Sequence, residues 1–238
     1  MIKVTSLRKS YGPVDALRGI NLNIKLGEFL TIFGPNGAGK TTLLKILSTI
    51  ITPSSGEVVI DGLNVKKANH VIRKKIGVIS HKTFLYENLT AIENLLFYAR
   101  MYDVGRPKDR ALKLIRQVGL KGRENHRVKT FSRGMEQRLS IARALIHNPN
   151  IIYLDEPYSG LDQHAALMLR NILKNLHTQD RTIVMTTHNI THGLEISDRI
   201  VIQVRGKIVL EDRTDNYTAE SFESLYFQLI GKHMGDSA

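Results

Sequence analysis

The most constraining feature of this sequence is the glycine-rich stretch GPNGAGKTT at 34–42, which lies between two apolar segments. The preceding segment, 29–33, reads FLTIF and has the length and composition of a buried strand. The following segment, from Leu43 onward, predicts a helix that stops near the breaker cluster at 52–56. The loop between them is either a tight turn or a site for a ligand with several negative charges.

Further strand and helix patterns alternate along the chain. Strand patterns occupy 57–60, 76–80, 151–154, 182–186 and 199–204, whereas helical periodicity covers about 91–147 and 163–178. This alternation predicts an α/β layer fold with a mostly parallel sheet and a helical insertion in the middle. Short strands at 3–5 and 20–24 precede it. The polar residues from Asp215 onward predict a short helix or a frayed tail.

Composition excludes several classes of protein. The 238 residues suffice for one domain with a real core, and the absence of cysteine excludes disulfides and thiolate metal sites, which fits a reducing cytosol. We find no signal-peptide pattern and no run of 18 apolar residues, so neither secretion nor a membrane span is expected. The net charge of +12 suits anionic partners without identifying one. Clusters such as Lys66-Lys67 and 73–75 indicate a solvated basic surface.

Residues 34–41 match the pattern G-x-x-x-x-G-K-[ST] in full. Glycines let successive backbone N–H groups point at phosphate oxygens, and the following helix adds its positive N-terminal end. Lys40 would reach the β- and γ-phosphates, and the Thr41 hydroxyl would hold Mg²⁺. The pattern also occurs by chance in turns, but its place between a strand and a helix favours phosphate binding. The predicted ligand-binding residues are Gly34, Pro35, Asn36, Gly37, Ala38, Gly39, Lys40, Thr41 and Thr42.

Two acids, Asp155 and Glu156, follow the apolar strand pattern at 151–154. Because successive side chains of a strand point in opposite directions, the two carboxylates cannot do the same job. We assign Asp155 to Mg²⁺, directly or through water, and Glu156 to orienting or deprotonating a hydrolytic water. The alternative is a surface strand end followed by a helix cap.

Together these motifs resemble those of the ATP-binding subunits of ATP-binding-cassette (ABC) transporters, over about residues 2–210. FSRGMEQRLSIARAL at 131–145 is similar to the family's signature segment, SGLD at 159–162 to the loop after the acids, and TTH at 186–188 to its switch-histidine segment. The resemblance implies a P-loop NTPase core with a mostly parallel sheet, an N-terminal antiparallel β subdomain and a helical insertion subdomain.

The same resemblance implies a single ABC ATPase domain over 1–238. The ATP-binding core with its β subdomain would comprise 1–82 and 148–210. The helical subdomain with the signature would comprise 83–147, and 211–238 would form a C-terminal tail.

Individual roles also follow from the resemblance. Tyr11 would stack on adenine, although it could equally pack on its own subdomain. His188 would contact the γ-phosphate, although a lone histidine after a strand is more often structural. Asp162 would contact a second subunit, although the alternative is that it only caps the next helix. Ser132 and Gly134 would bind the γ-phosphate of an ATP molecule held by that second subunit, so that two copies enclose two ATPs head to tail.

Two segments of the chain depart from the family pattern. The usual Leu-Ser-Gly-Gly-Gln reads Phe-Ser-Arg-Gly-Met at 131–135, and His81 replaces a glutamine that contacts Mg²⁺ or water and couples to the membrane partner. A neutral imidazole can donate or accept one hydrogen bond, so the coupling role can persist with pH sensitivity. The expected catalytic residues are Glu156, His188 and His81.

The resulting hypothesis is an ATPase that uses ATP and Mg²⁺ to power a separate membrane permease, peripheral on the cytoplasmic face of the cell membrane. Its second ATP-binding subunit would be identical or related. The motif wording resembles exporters, most of all the heme exporter of cytochrome c maturation. One alternative is a soluble ABC ATPase acting on nucleic acid or the ribosome, but such proteins usually have two cassettes or a long coiled coil, so we expect no nucleic acid. Another is a P-loop kinase or GTPase, but we find no guanine-reading Asn-Lys-x-Asp stretch.

Overall fold

The computed structural model describes residues 1–80, 82–178 and 181–235, with side chains as far as position 233. Its strands are β1 (Ile2–Tyr11), β2 (Val14–Ile24), β3 (Phe29–Phe33), β4 (Ser55–Ile60), β5 (Leu63–Asn64), β6 (Ile76–Ile79), β7 (Ile151–Asp155), β8 (Thr182–Thr187), β9 (Arg199–Val204) and β10 (Lys207–Arg213). Its α-helices are α1 (Lys40–Leu47), α2 (Asn69–Arg73), α3 (Ala91–Met101), α4 (Pro107–Gln117), α5 (Arg133–Ala144), α6 (Gln163–His177), α7 (Ile190–Leu194) and α8 (Ala219–Gly235).

The larger sheet has the strand order β10-β9-β3-β8-β7-β6. All its pairs are parallel except the one between β10 and β9, so the mostly parallel α/β core is confirmed. Every residue of β3, β7 and β8 is buried, because helices cover both faces of the sheet. The carboxyl ends of these parallel strands lie along one edge, where ligands bind in such sheets.

The smaller sheet is antiparallel and has the order β2-β1-β4-β5, as the resemblance implied. Its inner face packs on α1, and α1 packs in turn on the larger sheet. One buried cluster therefore joins the smaller sheet, α1 and the larger sheet: it includes Ile2, Leu22, Leu43, Ile46 and Val201. Strands β1 and β2 are longer than the sequence predicted because bulges interrupt the alternation of apolar residues.

Helices α3, α4 and α5 follow β6 and precede β7 in the chain, and they pack on one another. Thr90 and Glu93 start α3 with a capping box, in which each side chain accepts a hydrogen bond from the other residue's backbone N–H. The start of α4 follows from Pro107, which the first turn of a helix tolerates. The apolar face of this group joins the larger sheet through Leu139, Ile141 and Leu154.

The C-terminal segment is a 17-residue helix rather than a short helix or a frayed tail. Phe222 is fully buried and Tyr226 is 7% exposed, so α8 has an apolar stripe despite its polar composition. The Phe222 ring lies 4.9 Å from the ring of Phe33, at the end of β3. Among the described residues, no helix has both the length and the apolar content needed to cross a bilayer.

Candidate active site

The glycine-rich loop connects β3 to α1, where the sequence predicted it. Gly39 precedes α1 with a φ of 99°, and an added Cβ there would lie 2.3 Å from the carbonyl oxygen of Ala16 in β2. Both the left-handed backbone and the close approach of β2 require glycine. The loop thus lies at the positive N-terminal end of α1, an arrangement that binds anions.

Lys40, the first residue of α1, turns its side chain back beneath the loop. Its Nζ donates to the carbonyl oxygen of Gly34 at 2.5 Å and to that of Pro35 at 3.2 Å. It also lies 3.7 Å from Oε1 of Glu156, with only 7% of the lysine side chain exposed. Burial lowers the pKa of Lys40, and the negative charges of Glu156 and Asp155 oppose that shift. Lys40 is therefore buried at the loop and paired with Glu156.

Asp155, at the end of β7, accepts hydrogen bonds from two hydroxyls on its Oδ1 atom. Thr41 donates at 3.0 Å and Thr186 at 2.7 Å. Adjacent ligands of an octahedral Mg²⁺ ion, with bonds of about 2.1 Å, are about 3 Å apart, so the Thr41 and Asp155 oxygens have the spacing of two such ligands. Within the described part of the chain, no group of three His, Cys, Asp or Glu side chains could hold a metal. The residues present thus fit an ion that takes its remaining ligands from phosphate and water.

Glu156 follows the last residue of β7, and its carboxylate contacts different groups from that of Asp155. Its φ of 49° is left-handed, and its N–H donates to the Thr186 carbonyl oxygen at 3.1 Å. Its Oε2 atom lies 2.9 Å from Nδ1 of His188, and its other oxygen faces Lys40. His188 is 66% exposed and Glu156 only 24%, so the histidine forms the outer wall of the site. One carboxylate thus contacts a hydroxyl pair, and the other bridges a lysine and a histidine.

Tyr11 lies at the end of β1, next to the turn that leads into β2. Its ring is 47% exposed, and the Lys9 ammonium lies 5.1 Å from the ring centroid. The same hairpin contacts the phosphate loop, because Ala16 in β2 lies against Gly39. The role of Tyr11 in stacking on adenine stays a prediction. His81, the predicted coupling residue, lies outside the described residues.

The signature residues contact a different part of the chain. Ser132 caps α5 and accepts a hydrogen bond from the Met135 N–H at 3.3 Å. An added Cβ at Gly134 would lie 3.1 Å from Cβ of Ala165, so the start of α5 packs on the start of α6. Asp162 caps α6 by accepting a hydrogen bond from the Ala165 N–H at 2.8 Å. The structure thus groups Lys40, Thr41, Asp155, Glu156 and His188, whereas Ser132, Gly134 and Asp162 form a second group around α6. Their roles stay predictions.

Two contributors to the site were not predicted. Thr186 receives the Glu156 N–H and donates to Asp155, so it orients both acids. Gln137 of α5 is 3% exposed and donates to the carbonyl oxygen of Pro157 at 3.3 Å, which joins the signature helix to the residue after Glu156. The sequence feature that could have indicated Thr186 is the pair of threonines, 186 and 187, directly before His188. Nothing local distinguished Gln137.

Comparisons with known proteins agree with this geometry. Residues 17–159 match the family model described as ABC transporter. The chain is 34% identical to the ABC transporter ATP-binding protein NatA of Bacillus subtilis (strain 168), over 92% of this chain and 91% of that protein. It is also 34% identical to the Nod factor export ATP-binding protein I of Rhizobium meliloti (strain 1021), over 97% of this chain and 69% of that protein.

Among solved structures, the chain is similar to a dimeric post-hydrolysis state of the ATP-binding cassette MJ0796 bound to ADP and Pi. The identity is 33%, the TM-score is 0.83, and the match covers 90% of this chain and 99% of that one. The loop, the acids and these matches lead to one conclusion: the chain belongs to the ABC transporter family, as an ATP-binding subunit that hydrolyses ATP.

Proposed function

We propose that this chain powers a separate membrane permease, as one of two ATP-binding subunits on the cytoplasmic face of the cell membrane, and that the system exports its cargo. The observation that carries the catalytic part is the placement of Glu156 between Lys40 and His188, beside the Thr41 and Asp155 pair. These groups occupy the carboxyl edge of the parallel sheet, next to the glycine-rich loop.

Binding follows from the loop and Lys40. The loop N–H groups and the end of α1 supply donors to the phosphates. The Lys40 ammonium exchanges its bonds with the Gly34 and Pro35 carbonyl oxygens for bonds with phosphate oxygens, which are stronger acceptors because they are charged. The buried position of the ammonium strengthens this attraction.

Thr41 and Asp155 would hold Mg²⁺, which supplies positive charge next to the β- and γ-phosphates. The second carboxylate, on Glu156, is then left for the attacking water, which it orients and whose proton it accepts. The bond between Nδ1 of His188 and Glu156 leaves Nε2 as the imidazole nitrogen for the γ-phosphate.

The second copy would supply the signature half of the site. The Ser132 hydroxyl and the N–H groups at the start of α5 form a donor set for a γ-phosphate. Within this chain their contacts are with Met135 and Ala165 instead of the phosphate loop. Support for pairing comes from the MJ0796 cassette, whose structure is dimeric with ADP and Pi.

Exposed aromatic residues support a docking surface for the permease near the helical region. Phe84 is 50% exposed, Tyr86 48% and Phe97 39%. The rings of Tyr86 and Phe97 are in edge contact at 4.9 Å and form one patch, and Phe84 lies two residues before Tyr86 in the chain. Patches of this kind mark interaction sites more often than scattered apolar residues do.

Support for export is the Nod factor export relative. Heme export remains a narrower hypothesis that rests on motif wording alone. It predicts that a strain without this chain lacks c-type cytochromes and regains them with the wild-type gene but not with Glu156→Gln. Normal cytochrome levels in the deletion strain would contradict the heme hypothesis and leave the ATPase proposal intact.

The central experiment replaces Glu156 by Gln. We expect ATP binding to persist while kcat falls by about 100-fold or more, because a general base contributes about that factor. ATP should then trap a dimer, which light scattering after size-exclusion chromatography would detect. Glu223→Gln, on the exposed face of α8, is the matched control with wild-type turnover. Wild-type hydrolysis by Glu156→Gln would remove Glu156 from its proposed role.

A further inference from the structure

Gln203 is a fully buried polar residue in the otherwise apolar strand β9, and it lies in none of the sequence motifs. Its side-chain Nε2 donates to the carbonyl oxygen of Ala38, inside the phosphate loop, at 2.8 Å. Its Oε1 has no hydrogen-bond partner among the described residues. A buried amide costs free energy unless it is hydrogen-bonded, so its single bond to the loop needs a reason other than packing.

The same residue contacts the loop at two further points. An added Cβ at Gly34 would lie 2.1 Å from the Gln203 carbonyl oxygen, and one at Gly39 would lie 2.7 Å from its Nε2. The main chain of Gln203 therefore lies against the first glycine of the loop, and its side chain lies against the last glycine and the carbonyl before it. Strand β9 is hydrogen-bonded to β3, which makes it a rigid support for these contacts.

The Ala38 carbonyl has a second donor, the N–H of Gly206, at 2.9 Å. Two donors fix the plane of the Ala38–Gly39 peptide, because the peptide bond is rigid. In a trans peptide the N–H points opposite to the C=O. With the Ala38 oxygen directed at Gln203 and Gly206, the Gly39 N–H is directed away from β9.

We propose that Gln203 is a positioning residue for ATP binding, which holds the Ala38–Gly39 peptide so that the Gly39 N–H points at the bound phosphates. The proposal rests on the nucleotide site described above and adds to it a residue 165 positions from Ala38 in the chain. Gln203 itself touches no phosphate. It acts through the loop that does.

The first test is Gln203→Leu, which keeps the approximate volume and removes the donor. The Ala38 oxygen keeps the Gly206 N–H as a donor, and the unpaired Oε1 is removed together with the amide, so Tm should stay nearly constant. The Kd of ATP, and with it KM, should rise about fivefold, the factor that corresponds to one typical hydrogen bond. The kcat should change by less than about twofold, because the reacting groups are untouched.

A matched control is Thr31→Val in the neighbouring strand β3. Thr31 is fully buried, and its hydroxyl has no hydrogen-bond partner among the described residues, so this variant also removes a buried polar atom. It should leave the Kd of ATP unchanged. If Gln203→Leu changes Tm but not Kd, or if both variants raise Kd equally, Gln203 has only a structural role and the proposal fails.

A second variant, Gln203→Glu, tests the pH dependence of the Kd for ATP, which a role in packing alone would not change. The introduced carboxyl can donate to the Ala38 oxygen when protonated, but it repels that oxygen when ionised. The ratio of its Kd for ATP to that of the wild type should therefore increase as pH rises. A ratio that is independent of pH would contradict the proposal.

The experiments distinguish a wrong role for Gln203 from a wrong assignment of the nucleotide site. If Lys40→Ala binds ATP as tightly as the wild type does, the nucleotide site is misassigned. If Lys40→Ala loses binding while Gln203→Leu keeps it, the site stands and only the role of Gln203 is wrong.

Discussion

Substitution of Phe222 tests whether the C-terminal segment is a packed part of the fold or a frayed tail. Its ring is fully buried and lies 4.9 Å from Phe33 and 5.5 Å from Tyr217, between ring centroids. Replacing a buried phenylalanine by alanine costs about 3–5 kcal/mol, because burial is lost and a cavity remains. For a domain of this size each kcal/mol lowers Tm by about 2–4 °C, so we expect Phe222→Ala to lower Tm by about 6–20 °C.

The assay is thermal unfolding followed by circular dichroism, with Phe227→Ala as the control. Phe227 is on the same helix but is 61% exposed, so the same chemical change should alter the free energy of unfolding by less than about 0.5 kcal/mol. A Tm decrease of under about 3 °C for Phe222→Ala would refute the packing argument. Equal decreases for both variants would also refute it, because burial would then not be the cause.

Two further predictions concern the charged groups of the site. Lys40→Ala should raise the Kd of ATP by about 10- to 100-fold, the range for a hydrogen bond to a charged group. The control Lys45→Ala, at an exposed position on the same helix, should leave this Kd unchanged. Isothermal titration calorimetry would measure both variants, and equal Kd values for the two would discredit the loop assignment. Asp155→Asn keeps an oxygen that can accept from Thr41 and Thr186 but removes the charge. It should abolish Mg²⁺-dependent hydrolysis while Mg²⁺-free ATP binding stays within about twofold, and normal ATPase activity in a Mg²⁺ titration would remove Asp155 from the proposed metal site.

The parts of the site that sequence predicted are contiguous in the chain. Gly34 to Thr41 match one pattern with fixed spacing, and Asp155 and Glu156 are adjacent residues at the end of an apolar strand pattern. Such patterns contain their chemistry within a few residues, so no knowledge of tertiary contacts was needed. The parallel core was predictable for the same reason, because its strands are short apolar runs between helical segments.

The residues that were missed act through distant partners. Thr186 is 31 residues from Asp155, and Gln203 is 165 residues from Ala38. At 200–204 the letters IVIQV indicate only a buried strand with one polar residue. The use of that residue depends on which loop lies against β9, and that is decided by the order of strands in the sheet. The length and packing of helix α8 were missed in the same way, because the contact that buries Phe222 is with Phe33, which is distant in the chain.

The contact between Lys40 and Glu156 leads to a last prediction that separates folding from binding. Burial lowers the pKa of Lys40, and the charges of Glu156 and Asp155 oppose the shift, so the ammonium and the acids stabilise one another. Lys40→Ala leaves Glu156 without its cation, which should lower the free energy of unfolding by at most about 3 kcal/mol because Glu156 is partly exposed.

In a Glu156→Gln background the same lysine change removes no ion pair, so its cost in unfolding free energy should be smaller. Most of the loss of ATP affinity should persist in both backgrounds, because it comes from the charged phosphate oxygens and not from Glu156. A thermodynamic cycle over the four proteins measures both quantities. If the affinity loss disappeared together with the stability loss, Lys40 would hold the acids in place without binding phosphate.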